Sequence, residues 1–246
     1  MYKNVLVISD NLYLCKRIEE VLQKKSITGS EFSFAISPFS NLLEFENGLI
    51  ANSLFVVNLK DEKDVAKIIG QYDLILSIHC KQLFPASLVN KVKCINIHPG
   101  YNPFNRGWYP QVFSILNDEV IGATIHEIDE EIDHGAIIDR ILVEKDNVDT
   151  SGTLYNKILE AEISLFSKNI ASILQKTYTT QIPETEGKLY LKKDFNEICK
   201  IDLKEVNSFE NFIKKMRALT HHDFKNAHYV DPLTNEKIYI SINISR

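Results

Sequence analysis

The 246-residue sequence has no apolar run approaching the ~20 residues that a membrane span needs. Its opening, MYKNVLVISDN, holds only about five consecutive apolar residues, short of a signal-peptide core. A cytoplasmic location without membrane partners is therefore expected. Cysteine is scarce. Cys15, Cys80, Cys94 and Cys199 form no C-x-x-C pair and no metal-type cluster, which points to reduced thiols and to no metal. A strong excess of positive charge is also missing. The formal net charge is -5, so neither nucleic acid nor a membrane surface is expected as a broad partner. The first apolar run is followed by SDNLYL rather than G-x-G-x-x-G, and no G-x-x-x-x-G-K-[ST] occurs. Those two absences exclude a nicotinamide dinucleotide fingerprint and a Walker-type phosphate loop.

What is present is an ordinary globular composition. The 44% hydrophobic fraction is enough for a sizeable core in one large domain, or in one domain with a small appendage. NVLVIS, FSFAIS, LFVVNL, DLILSI and CINIH read as strands, and the segments between them carry helical spacing, as in Leu14, Ile18, Val21 and Leu22. Strands alternating with helices imply an α/β, Rossmann-like fold with a mostly parallel sheet. PQVFSILND reads as a short helix. IGATIHEI and GAIIDRILVE read as two further strands, and a long helix is expected from Ser151 to about Leu174. Residues 1–180 are expected to form the catalytic domain, with a polar linker at 175–187 and a C-terminal extension at 187–246. In the extension, GKLYL reads as a strand and Phe209, Phe212, Ile213, Met216 and Leu219 as one helix face; a hairpin follows. About sixty residues bury little alone, so this tail should dock on the main domain or on a second subunit.

Glycine and proline are scarce overall, at nine and seven, yet two and three of them crowd into CINIHPGYNPFNRGWYPQ (94–111). Asn96 and His98 lie two apart at the end of a strand pattern, so both side chains point to one face. Pro99 and Gly100 then turn the chain away. An imidazole can take a proton near neutral pH, and a carboxamide can donate to a developing oxyanion. The pair suits attack on a carbonyl, provided a carboxylate orients the imidazole. DEEIDHGAII offers Asp129, Glu130, Glu131 and Asp133, and physics alone leaves the choice open. Asp133 is favoured by its neighbours, since Ile132 and Gly135 suggest a partly buried turn with close backbone approach. The plain alternative is that His98 merely ends a strand.

The order Asn96-Ile97-His98-Pro99, Gly122-Ala123-Thr124-Ile125-His126, Asp133-His134-Gly135 resembles the folate-dependent formyltransferases, over roughly residues 70 to 145. The resemblance implies transfer of a formyl group from N10-formyltetrahydrofolate to a primary amine, without metal. It implies His98 as general base or proton shuttle, Asn96 as oxyanion donor and Asp133 as partner of His98. It also implies a pterin pocket at Gln82, Leu83 and Phe84 and at Ile128 to Ile132, including Glu130, although Leu83 and Phe84 also fit an ordinary core.

GYNPFNRGWYPQVFSI and the tail MRALTHHDFKNAHY are most similar to the nucleotide-sugar members. That likeness implies a dTDP-linked amino-dideoxy sugar as acceptor, dTDP-4-amino-4,6-dideoxyglucose first, a product for the lipopolysaccharide O-antigen, and a homodimer through the tail. Alternatives within the resemblance are a 3-amino sugar, glycinamide ribonucleotide, methionyl-tRNA, or hydrolysis of the folate. Candidate acceptor contacts are His79, Tyr101, Asn102, Arg106, Gly107, Trp108, Tyr109, Arg217, His221, Lys225 and Asn226. Arg106 has the bidentate geometry for a phosphate. Trp108 and Tyr109 can stack on a base or pack the loop. His79 can contact the sugar or support a loop. The basic tail residues Lys214, Lys215 and Arg217 also fit a solvated helix face.

Overall fold

The apolar runs set the frame. In the computed structural model, which describes residues 1–50 and 53–246, they form β1 (Asn4–Ile8), β2 (Glu31–Ile36), β3 (Leu54–Val56), β4 (Leu74–Ile78) and β5 (Lys93–His98). A two-residue β6 (Arg106–Gly107) follows, then β7 (Gly122–Glu127) and β8 (Ile137–Leu142). Seven of these make one sheet in the order β3-β2-β1-β4-β5-β7-β8. The first five run parallel; β7 is antiparallel to β5, and β8 to β7. The sheet is therefore mostly parallel, as the strand–helix alternation predicts. The chain leaves β1 toward β2 and β3, then returns to β4 on the other side of β1. Ligands of open α/β sheets bind at the strand C-termini beside such a reversal.

The intervening helices are α1 (Leu12–Lys24), α2 (Leu42–Glu46), α3 (Glu62–Gln71), α4 (Ala86–Val89), α5 (Pro110–Leu116) and α6 (Ser151–Gln175). Local capping explains their starts. The Asn11 side chain accepts from Leu14 N at α1, Asp61 accepts from Lys63 N at α3, and Thr150 and Thr153 cap α6 reciprocally. Val5, Val7, Leu76, Ile95 and Ile97 pack on one face against Leu14 and Ile18 of α1 and Phe166 and Ile170 of α6. Leu6, Ile8, Ile75 and Cys94 pack on the other against Val65 and Ile68 of α3 and Leu88 of α4. Each fully buried Leu, Ile or Phe contributes about 1.5–3 kcal/mol, which is why the central strands carry apolar side chains on both faces. Among the described residues, no helix is long and apolar enough to cross a membrane.

The tail docks on its own chain. It comprises β9 (Leu189–Tyr190), α7 (Lys192–Ile198), α8 (Phe209–Leu219) and the hairpin β10 (His228–Val230) and β11 (Lys237–Tyr239). Tyr190, Phe195, Met216 and Leu219 share a core with Val112, Phe113 and Ile115 of α5 and Leu154 and Ile158 of α6. Helix α7 had no visible signature, because it is two turns long and buries only Phe195. The expected apolar face of α8 divides in two. Met216 and Leu219 are buried, whereas Phe209 stays 78% exposed and Phe212 and Ile213 are also exposed. The stretch 175–187 is not free: Gln181 and Ile137 exchange backbone hydrogen bonds of 2.8 Å each. β9 then runs parallel to β6, so the tail grips the loop that follows β5.

Candidate active site

The register of β5 and β7 brings the polar side chains together. Asn96 lies opposite His126, and His98 lies opposite Thr124. The alternate residues Ile95, Ile97 and Ile125 enter the core, so the polar set faces away from α6. Asn-x-His and Thr-x-His are thus cross-strand partners on one face. Thr124 fixes the exit of β5. Its Oγ1 donates to Gly100 O at 2.7 Å and accepts from Asn102 N at 3.0 Å.

Asp133 arrives from the loop between β7 and β8 in the left-handed region, at φ 48°. Such a conformation costs a non-glycine residue energy and persists only where surroundings enforce it. Here they do. Arg106, 3% exposed, donates from Nε and Nη2 to Ile132 O at 3.0 and 2.9 Å. Asn102 Nδ2 donates to Asp133 O at 2.9 Å, and Gly107 N donates to Asp133 Oδ2 at 3.0 Å. Gly107 has φ 88°, and a Cβ there would run into Tyr190 O of β9. Loop 101–107 therefore clamps the carboxylate, and β9 backs the clamp.

The clamped carboxylate faces three side chains. Asn96 Nδ2 donates to its Oδ1 at 3.0 Å, His98 Nδ1 lies 3.3 Å from Oδ2, and His126 Nε2 lies 3.4 Å from Oδ1. Burial alone would raise the Asp133 carboxyl. The His98 ring and the Gly107 N–H oppose that rise, and the group is held well below the ordinary carboxylate range. Burial pushes the His98 imidazole down, against the opposing pull of Asp133 and the nearby Asn105 carbonyl. A neutral His98 with Nδ1–H toward Asp133 leaves Nε2 as an acceptor. That atom is buried and, among the described residues, has no hydrogen-bond partner. It faces Gly100, where a Cβ would collide with it. A carboxylate, an oriented imidazole and an open ring nitrogen are the parts of a general base.

Comparison with known proteins places the fold in a family. A family described as "Formyl transferase" matches residues 15–170. The chain belongs to that family. A second family, described as "N-formyltransferase dimerization C-terminal domain", matches residues 194–246. The dTDP-4-amino-4,6-dideoxyglucose formyltransferase of Mycobacterium tuberculosis is 46% identical over 178 residues, covering 72% of this chain and 76% of that protein. The structure of a sugar N-formyltransferase from a Shewanella species superposes with a TM-score of 0.94 at 37% identity, over 99% of this chain and 98% of that one. A 4-N formyltransferase from Francisella tularensis gives 0.92 at 38% identity, with the same coverage. The protein is thus an enzyme, an N-formyltransferase with the α/β fold of its family.

The remaining expected residues of the formyltransferase divide by where their polar atoms go. Tyr101 sits beneath the Arg140 guanidinium, 4.6 Å from the ring centre, and Asn102 is fully buried. Arg106 does not offer its fork to a phosphate in this conformation, because the fork holds Ile132 O and lies near Glu131 and Glu186. Trp108 is half-buried, 5.5 Å from Lys192 Nζ, while Tyr109 stacks on Phe195 in the tail core. Gln82 bridges Leu59 N and Val57 O. Phe84 and Ile128 pack on the second core, Leu83 is exposed, Ile132 is half-buried, and Glu130 accepts from Asn90.

In the tail, Arg217 donates to Asp149 O and Asp146 O, Asn226 donates to Leu219 O, and His221 Nδ1 meets Ser151 Oγ at 3.0 Å. These three are therefore turned inward; Lys225 is exposed, over the Tyr239 ring. His79 faces α6, with Nε2 on Glu162 and Nδ1 on Tyr155. The reading of the sequence missed His126 as a site residue, although its place in Gly-x-Thr-x-His was visible. It also missed Glu162, which carried no signal beyond being a charge inside an apolar helix pattern.

Proposed function

We propose that this N-formyltransferase moves a formyl group from N10-formyltetrahydrofolate to the primary amine of a dTDP-linked amino-dideoxy sugar, with dTDP-4-amino-4,6-dideoxyglucose as first choice. The similarity to the mycobacterial enzyme supports the acceptor class, and that to the Francisella 4-N formyltransferase supports the amine position. The observation that carries the chemistry is the buried, unpartnered Nε2 of a His98 oriented by Asp133. His98 Nε2 accepts a proton from the attacking amine. Asp133, held ionised, stabilises the imidazolium, and the Asn105 backbone also favours the protonated ring. The same proton then serves the departing folate nitrogen.

Asn96 is the proposed donor to the oxyanion, a role whose loss typically costs ~2.7–4 kcal/mol in the barrier. Its two amide hydrogens are engaged, one on Asp133 Oδ1 at 3.0 Å and one on His126 Nε2 at 3.2 Å. His126 Nδ1 lies 2.7 Å from Glu127 O and must be the protonated nitrogen, since a carbonyl only accepts. The neutral bond to His126 is the one that can be exchanged for an oxyanion.

The tail is the proposed homodimer surface. Leu203, Val206, Phe209, Phe212 and Ile213 are all exposed there, Val206 at 99%. A chromatographic mass equal to one chain would overturn that part. A cytoplasmic setting and a product destined for the O-antigen complete the proposal. The test is incubation of the pure protein with N10-formyltetrahydrofolate and a panel of dTDP-3-amino and dTDP-4-amino sugars, followed by mass spectrometry. A gain of one formyl group on a 4-amino sugar is expected. Formylation of glycinamide ribonucleotide instead, or folate hydrolysis without any amine, would sink the assignment.

A further inference from the structure

Glu162 lies in α6 among Leu159, Ile163, Leu165 and Phe166, yet it is a carboxylate only 1% exposed. A buried carboxyl is costly and is retained only with a partner. Its partner is His79 Nε2, at 2.8 and 3.0 Å from the two oxygens. The other ring nitrogen, Nδ1, meets Tyr155 Oη at 3.2 Å, and Asn11 Nδ2 donates to that same hydroxyl. Tyr155 and Glu162 are seven residues apart on α6, two turns along one face. His79 is the first residue after β4 and takes a left-handed φ of 55°. A bulky residue in that region needs its surroundings to hold it. The next links are also tied: Lys81 N donates to Asp10 Oδ2 at 2.7 Å, and Gln82 bridges the exit of β3. The chain that leaves β4 is therefore pinned to α6, to the end of β1 and to the end of β3, at the strand reversal of the sheet. The proposed formyl-transfer centre is close by, because Ile78, just before His79, lies opposite Ile97, just before His98, in the β4–β5 pairing.

We propose that Glu162 is a positioning residue of the folate site: by holding His79 against α6 it sets the conformation in which β4 delivers residues 80–84. The proposal rests on the folate reading above for the identity of the ligand, and on the geometry alone for the pinning. Tyr155 and Asn11 complete the hold from the Nδ1 side. Burial raises the Glu162 carboxyl, and the His79 ring opposes that rise, so the pair depends on both members. A helix face needed only for packing has no use for this arrangement. A methionine of similar length would fill the space without the charge.

The test compares wild type with Glu162→Gln and Glu162→Met. Gln keeps an acceptor for His79 Nε2, whereas Met keeps only the volume. Affinity for 5-formyltetrahydrofolate, read by calorimetric titration, is expected to fall in the order wild type, Gln, Met, by about tenfold or more for Met. The affinity for dTDP and the melting temperature should stay close to wild type. Hydrogen exchange in the ligand-free proteins should quicken at residues 79–84 in the same order and stay unchanged at 94–98. Equal folate affinity in all three, or losses that follow the melting temperature alone, would overturn the proposal. A wild type that binds no folate would overturn the ligand assignment instead. The exchange pattern would then decide the pinning by itself, in favour if 79–84 quickens and against if it does not. If the Met variant does not fold, the Gln variant carries the comparison.

Discussion

Arg106 and Arg217 look alike in the sequence, each a cation inside a stretch that resembles an acceptor-binding segment. The structure gives both the same kind of partner, a backbone carbonyl of a distant loop, and yet they support different things. Arg106 holds Ile132 O and so holds Asp133, whose carboxylate orients His98. Arg217 holds Asp146 O and Asp149 O, which shape the approach to α6. The loop after β5 spends its donors on the proposed catalytic geometry and, among the described residues, this region leaves three buried acceptors open, His98 Nε2, Asn102 Oδ1 and Asn105 Oδ1. The tail spends its donors on docking itself and leaves apolar side chains open. Donors that end on carbonyls thus act on chemistry in the loop and on architecture in the tail.

The largest expected effect breaks the loop side directly. His98→Ala should lower kcat by about 10²–10⁴-fold, the usual worth of a positioned general base, with little change in folding. Asp133→Asn should approach it, because the amide no longer orients the ring as a proton acceptor. Near-wild-type turnover in either variant, measured by formyl transfer to a dTDP-amino sugar, would remove the proposed roles. Next in size is the contrast between the two arginines. Arg106→Met should lower kcat by about tenfold or more, since the strained Asp133 loses its hold. Arg217→Met should leave kcat within about twofold and cost roughly 1.5–3 kcal/mol of stability for its lost charged hydrogen bonds. Equal kinetic losses in the two variants would mean that the two arginines do not differ in role.

Gly100 sharpens the same side on a smaller scale. A Cβ at this position would press on His98 Nε2 and Cδ2 and on the Asn105 carbonyl. Gly100→Ala should therefore lower kcat by several-fold to about tenfold by displacing the ring, with folate affinity unchanged. A change confined to folate affinity would place the pressure elsewhere.

These contrasts mark what the sequence could and could not show. The parallel frame was legible, because β1, β4 and β5 carry short runs rich in Val, Leu and Ile between helical patterns. Asn96 and His98 were legible because a two-residue spacing at a strand end fixes a shared face. His126 was within reach through its motif, but the register that sets it opposite Asn96 comes from strand pairing thirty residues apart. The inward turns of Arg106, Arg217, His221 and Asn226 were not legible. Their partners are backbone carbonyls or a hydroxyl of other loops and helix ends, which no local pattern announces. The split of the α8 stripe was hidden for a related reason. Periodicity shows which residues share a face, and not how much of that face the rest of the chain covers.

The smallest predicted effect tests the tail side through pH. His221 is largely buried, against Ser151, with the Tyr155 and Phe224 rings and the titratable His222 around it. Burial, with the His222 charge adding to it, pushes the His221 imidazole down to about 4 from its ordinary 6.5. The folded state therefore keeps His221 neutral where the unfolded chain has already bound a proton. Stability from this group is fully present above the ordinary value of 6.5 and is lost as pH falls from there toward about 4. The depressed His98 acts in the same direction in that range. The contribution of Asp133 is lost only further down, below the ordinary carboxylate value of 3.8. The melting temperature should thus decline between pH 7 and pH 4.5, and His221→Gln should make that decline shallower without altering kcat at neutral pH. A His221→Gln protein with the wild-type slope would mean that the tail's imidazole is protonated alike in both states. The buried docking contact would then contribute nothing to the pH response.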